Sequence, residues 1–356
     1  MAAFRRAKVV EVIERSAGIC RARLALDDRE IIAAGFPSML GDLLAGDAVI
    51  VNTTAIDLDL GTGGEGFILW NLDGTGPPGP GEGHIVKLRY TPWQTEVLAA
   101  EAPESPDHEV LREADSIAGV PVVACGLHSQ IAGVAAGIKA VRPEARVGYL
   151  MTDGAALPIA WSKLVATLAQ SGLIDTTCTA GHAFGGDIEA VNIFSGMAGL
   201  VHARAADVVV AAMGPGVVGT GTALGFTALE QGQLLDAATA LGGRSVACLR
   251  ISFADPRPRH TGVSHHTITA LTIAAREPAL LVLPELPNEG HTDLRRELEG
   301  AGLDKRHEIK VADGTPGLEL LSSRGVAVTS MGRSIEEVPE LFLAAAAAGR
   351  VAAEQL

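Results

Sequence analysis

Six side chains able to hold an anion, move a proton or bind a metal crowd one short stretch: Asp255, Arg257, Arg259, His260, His265 and His266. Guanidinium forks bind phosphate or carboxylate bidentately. Imidazoles act as acid–base groups or metal ligands. Ser264 is placed to cap a helix carrying His265 and His266. Adjacent residues on a helix point about 100° apart, so one of the two histidines is expected to face a site. Pro256 and Pro258 stiffen the segment. The competing reading is a surface loop laced with salt bridges.

Other polar and Gly-rich stretches follow apolar runs in the same way. They are Gly126-Leu127-His128-Ser129, Thr152-Asp153-Gly154, Gly181-His182-Ala183-Phe184-Gly185-Gly186-Asp187 and Gly214-Pro215-Gly216-Val217-Val218-Gly219-Thr220-Gly221-Thr222. In an open parallel sheet, ligands bind beyond the carboxyl ends of the strands, so such stretches converge there. His182 or His260 would move a proton, with Asp153 or Asp187 as orienter or metal ligand. Arg257 and Arg259 would hold an anion, helped by Gly214, Gly216, Gly219 and Thr220. A divalent metal would draw on His128, His182, Asp187, Asp255 and His265, although no spacing matches a zinc signature such as H-E-x-x-H. Asp187 alternatively caps a helix beginning there, on which Glu189 and Asn192 share a face.

Gly214, Gly216 and Gly219 form a G-x-G-x-x-G between an apolar strand and an expected helix. Such a loop lets backbone N–H groups approach a phosphate. A dinucleotide is the lesser expectation, because Arg250 and Ser252 stand where its acidic partner belongs. A phosphate, a carboxylate and a purely structural turn stay open. No G-x-S-x-G elbow supports a triad on Ser129 or Ser264.

The elements that must position these groups change character along the chain. Lys8–Ile13, Arg21–Leu26, Ala48–Asn52, Gly66–Asn71 and His84–Tyr90 are short strand-like runs, suiting a barrel or sandwich over residues 1–105. Gly74–Gly83 reads as an exposed loop and Ala102–Asp107 as a linker. Residues 106–356 alternate buried-strand runs with helices. The runs are Pro121–Cys125, Val147–Met151, Thr176–Thr179, Val208–Met213, Ser245–Ile251, Ala279–Leu283, Glu308–Val311 and Val326–Thr329. Expected helices include Gln130–Val141, Pro158–Ser171, Asp187–Ala203, Thr222–Leu241, Ser264–Ala275 and Ile335–Glu354. The pattern predicts an α/β fold: a parallel, doubly wound, Rossmann-like sheet behind an N-terminal β-rich domain.

Composition bounds the function. Apolar residues make up 47% and charged residues 20% of 356, so a large core is available. Net charge is −14, which disfavours a nucleic-acid or anionic-membrane surface. Cys20, Cys125, Cys178 and Cys248 are scattered, as expected of buried thiols in a reducing, cytoplasmic setting. The first sixteen residues show no apolar signal core. Val208–Leu229 is uncharged, but its glycines and Pro215 argue for a strand and loop rather than a membrane span.

Several runs resemble one family. They are Leu60-Gly61-Thr62-Gly63-Gly64, the His84–Tyr90 strand, the 181–187 stretch and Arg259-His260-Thr261-Gly262-Val263-Ser264-His265-His266-Thr267. Together they resemble the uncharacterised bacterial family called domain of unknown function 3866, over nearly the whole chain. The resemblance implies a bacterial protein and supplies no reaction. From the residues, the leading expectation is an enzyme that acts by hydrolysis or group transfer on an anionic or phosphorylated small molecule. The rival is a non-catalytic sensor or assembly subunit, and a homo-oligomer fits either.

Overall fold

The computed structural model describes residues 2–16, 18–59, 63–76, 82–287 and 290–356. It divides into two compact units, residues 1–82 with 88–96, and residues 83–87 with 97–356. Leu60–Thr62 of the first Gly-rich turn, and residues 77–81 of the Gly/Pro-rich segment, lie outside the described residues.

The first unit is built on a closed five-stranded barrel. Its strands are β1 (Phe4–Arg15), β2 (Cys20–Leu26), β3 (Arg29–Gly35), β4 (Ala48–Asn52) and β5 (Gly66–Asn71), in the order β1-β2-β3-β5-β4. β1 pairs with both β2 and β4, and two register shifts along it supply the bend that closure needs. Alternate residues point inward, so Ala7, Val9, Ala22, Leu24, Leu26, Ala33, Val49, Val51 and Ile68 form the core. Sequence patterning misses β3, because Arg29-Glu30-Ile31-Ile32-Ala33-Ala34-Gly35 opens on two charges and closes on small residues.

The second unit carries eight parallel strands. They are β6 (Pro121–Cys125), β7 (Val147–Thr152), β8 (Thr176–Ala180), β9 (Ile188–Ala190), β10 (Val208–Met213), β11 (Arg244–Cys248), β12 (Leu280–Pro284) and β13 (Glu308–Ala312). Their spatial order is β9-β8-β7-β10-β6-β11-β12-β13. The sheet is buried on both faces. Val123, Tyr149, Met151 and Val210 pack with α1 (Gln130–Val141), α2 (Lys163–Gln170), and the C-terminal helices Thr315–Ser323 and Pro339–Ala353. Val122, Leu150, Val209 and Ala211 pack on the opposite face with α3 (Ile193–Ala198), α4 (Glu230–Ala240) and Gly290–Gly300. This is the expected doubly wound, Rossmann-like sheet with an N-terminal β domain.

Strand order locates the crevice. The chain leaves β6 and β7 toward the β9 side, but leaves β10 and β11 toward the β13 side. Loops therefore diverge above β7, β10, β6 and β11, which is the topological switch where such folds bind ligands.

Four expectations need correction. Residues 188–190 are strand β9, not helix, so Asp187 caps nothing; Asn192 caps α3 instead, reciprocally with Ser195. α4 starts at Glu230, after a single turn at Thr227–Leu229, so no helix opens on the Gly214–Thr222 loop and its dinucleotide geometry is missing. Pro158 is extended and Ser162 is the residue that caps α2. Of Val326–Thr329, only Thr329 is strand; Thr329–Ser330 pairs antiparallel with Arg333–Ser334 outside the main sheet. In each case tertiary pairing overrides a local apolar or polar pattern.

Candidate active site at the strand tips

Two buried glutamines hold the strand tips in place. Gln231 Nε2 donates to the carbonyls of Ala124 and Cys248 at 2.8 and 2.7 Å, tying the ends of β6 and β11 together. Gln130 accepts from Leu127 N and donates to the Leu249 carbonyl. Without them these strand-end groups would be buried without partners.

Above β7 and β8 lies a carboxyl pair. Asp153 Oδ2 accepts a 2.9 Å hydrogen bond from the backbone N–H of His182. Gly181 has φ +65°, and a Cβ there would sit 2.3 Å from that same oxygen, so the turn requires glycine. Glu230 reaches the pair from the start of α4. Its Oε2 is buried beside the Thr152 hydroxyl. Burial raises the Glu230 carboxyl above its ordinary range, and the charge of Asp153 raises it further. Two carboxyls whose environments differ in this way can divide acid and base roles between them.

His128 is buried nearby but occupied. It donates from Nδ1 to the Met213 carbonyl at 3.1 Å and accepts at Nε2 from the Ser162 hydroxyl at 2.6 Å. Burial pushes its pKa down to about 4. With both nitrogens engaged, it is removed from the metal candidates.

Asp187 is elsewhere. Its Oδ2 accepts from Thr177 N and Thr177 Oγ1 at 2.8 and 2.9 Å, so it sits near the beginning of β8 rather than at its tip. That is about 13 Å below Gly181 at the rise of a strand. The 181–187 turn doubles back along β8 before β9 starts. Gly186 makes this possible, since a Cβ there would lie 2.9 Å from Thr179 N. Neither proton-orienting nor metal-binding work beside His182 is open to Asp187.

The Gly214–Thr222 loop links this pair to a second group. At one end, Ala156 N donates to the Pro215 carbonyl, and Gly216 borders Ala155. At the other end, Gly219 borders His266 and Gly221 borders the Arg259 guanidinium. The loop closes on itself. The Thr220 hydroxyl and backbone N–H both donate to the Gly225 carbonyl at 2.9 Å, which commits Thr220 to the turn. The backbone N–H groups of Gly219 and Gly221 have no partner among the described residues.

The second group is the histidine–arginine cluster. One ring nitrogen from each of His260, His265 and His266 lies within 4.8 Å of the other two. Phe226 stacks flat on His266, 3.9 Å between centroids, and meets His265 edge-on. His260 Nδ1 pairs with Ser264 Oγ at 2.7 Å, and the same oxygen caps the His265–Thr269 helix by accepting from His266 N. Contrary to the 100° expectation, both adjacent histidines join the cluster. The helix starts at His265, and His260 comes in from the preceding turn to meet both rings.

Three arginines surround one aspartate. Arg257 grips Asp255 bidentately at 2.9 and 2.8 Å, while Arg250 and Arg333 stand 3.6 and 4.0 Å from it. The Arg257 guanidinium holds the Asp255 carboxyl well below the usual carboxylate range. Asp255 is thereby an internal counter-ion, and Arg257 is largely committed to it. Arg259 is exposed and has no hydrogen bond or ion pair among the described residues. Burial, and then the Arg250 charge, lower His266 to about 3; burial, with Arg250 and Arg257, lowers His260 to about 4. All three imidazoles are neutral at pH 7, since His265 is lowered as well.

The family model described as "Protein of unknown function (DUF3866)" matches residues 32–349. The chain belongs to the DUF3866 family. No curated protein and no solved structure matches it.

Sequence reasoning on this DUF3866 chain missed Glu230, Phe226 and Arg333. Glu230 looks like any charged residue near a helix start, and only the fold turns it inward. Arg250 carried a signal: it is a charge inside the apolar run Ser245–Ile251, and it is 5% exposed. The expected His84–Tyr90 strand is only Ile85–Lys87, with His84 and Arg89 outside it, and only the fold shows that Lys87 is buried against Glu189.

Proposed function

We propose that this DUF3866 protein is an enzyme that binds a small anionic metabolite at the strand tips and carries out hydrolysis or group transfer there. One observation carries the reading. In a chain of net charge −14, Arg259 stands without an ion pair among the described residues, against Gly221 of the glycine loop, near three further guanidiniums that share one aspartate. A local positive excess of this kind attracts an anion that the rest of the surface repels. The Glu230–Asp153 pair and the neutral imidazoles offer groups for moving a proton. The Ser264 contact anchors His260 for that role.

The setting we infer is the bacterial cytoplasm, which the four buried free thiols suit. Among the described residues no helix is long and apolar enough to cross a membrane.

The test is calorimetric titration of the full chain with inorganic phosphate at low salt. Arg259→Ala should weaken binding at least about tenfold, a change of about 1.4 kcal/mol. Equal affinity in the variant would remove Arg259, and with it the reading. Phosphate binding without turnover of any phosphoester would favour a sensor over an enzyme.

A further inference from the structure

We propose that His266 is a hydrogen-bond donor for a phosphoryl oxyanion, and that His260, His265 and His266 form one wall of an anion site rather than a metal cage. The inference rests on the anion reading above and deepens it by naming the group that is recognised.

One contact fixes the tautomer of His266. Arg250 Nη1 lies 3.3 Å from His266 Nδ1. A guanidinium donates and never accepts. Nδ1 must therefore present its lone pair, and the ring of a neutral His266 carries its proton on Nε2. Arg250 is buried and fixed between His266 and Asp255, so the tautomer is set by a group that cannot reverse its role. Stacking on Phe226 at an interplanar angle of 4° fixes the plane of the ring.

The ring edge that carries Nε2 packs beside Gly219. A Cβ on residue 219 would approach Nε2 to 3.3 Å, and Gly219 has none. Next to it, His265 Nε2 is buried without a hydrogen bond. Such an atom costs free energy unless something arrives to meet it. Arg259, against Gly221 on the same loop, adds an unpaired charge. A phosphoryl group offers three terminal oxygens to these three partners. A carboxylate offers two, both in one plane.

A metal ion fits less well. It would need the Nε2 lone pair of His266, which forces the proton to Nδ1, facing Arg250. A dication would also meet Arg250, Arg257, Arg259 and Arg333 with Asp255 alone to offset them.

The experiment uses the full chain with inorganic phosphate as probe, followed by phosphorus NMR line width in the presence of EDTA, and a parallel zinc titration with desalting. Phosphate should bind in EDTA. His266→Ala should weaken it at least tenfold, and His266→Gln, which keeps an N–H donor, should stay within about threefold of the parent. Thermal melts of both variants show whether they fold; should His266→Ala fail to fold, the comparison of His266→Gln with His266→Leu decides. If Arg259→Ala weakens phosphate but no His266 variant does, the anion reading stands and this inference falls. If the parent chain binds no phosphate, both fall. One equivalent of zinc retained by the parent and lost in His265→Ala would overturn the donor wall in favour of a metal cage.

Discussion

Lys87 Nζ lies 2.6 Å from Glu189 Oε2, with the lysine side chain 1% and the glutamate 13% exposed. The same ammonium donates to the carbonyls of Thr179 and Ala183, and Glu189 also accepts from Thr179 Oγ1 and Gly185 N. The pair thus fastens both sides of the turn that carries His182. Lys87→Met should destabilise by about 3–5 kcal/mol, the cost of leaving one buried charge unpaired. Lys87→Met/Glu189→Leu should recover much of that loss. Urea unfolding of the two variants checks this, and equal losses would show that the pair is not coupled.

His128 makes the fold sensitive to acid. Its folded pKa of about 4 lies below the ordinary 6.5, so as pH falls below 6.5 the unfolded chain takes up a proton that the folded chain declines. Stability is therefore full above pH 6.5 and is lost toward pH 4. From pH 7 to pH 5 this group alone should cost about 2 kcal/mol. His128→Gln should show a flatter stability profile over that window. An unchanged slope would reassign the acid sensitivity to other groups.

Glu230 works in the opposite sense. Its carboxyl is raised in the folded state, so its contribution is present below the ordinary carboxylate pKa and lost as pH rises through the folded value. Glu230→Gln should then stabilise the protein at pH 8 by about 1 kcal/mol and leave it unaltered at pH 4. A gain in stability from removing a charge at the switch point is what a site kept for chemistry predicts. Melting temperatures at the two pH values decide it.

The turn at Gly181 allows a geometric test. Gly181→Ala places a methyl group against the Asp153 carboxylate and an L-residue at φ +65°. The cost should be about 1–3 kcal/mol, from strain and from the lost Asp153–His182 contact together. Gly300→Ala, where a Cβ meets nothing within 4 Å, is the matched control and should be nearly neutral.

How far the sequence carries can be read from these same residues. Runs such as Pro121–Cys125 and Val208–Met213 keep their boundaries in the structure, because a strand buried on both faces leaves no room for polar residues. The residues after those strands were readable as a group for the same reason. Asp187 and Glu189 were not. Polar residues in a three-residue strand look like a helix start, and only pairing with β8 distinguishes the two. Partnership was equally invisible: Arg257 and Arg259 are two residues apart and chemically alike, yet Asp255 neutralises one and leaves the other available.

β9 follows β8 directly, after a link of seven residues with no helix. It therefore acts as a guard rail for the sheet. Its three residues cover β8, and beyond it, among the described residues, the sheet extends by a single bridge between Ala99 and Glu189, with Ala100 N donating to the Glu189 carbonyl. A long bare strand edge is a template on which other chains can add. Here that edge is shortened to a few atoms, and the ion pair that steadies the His182 turn also keeps it shut. Loosening Lys87 should therefore show first as self-association of partly open molecules, before global unfolding is detectable.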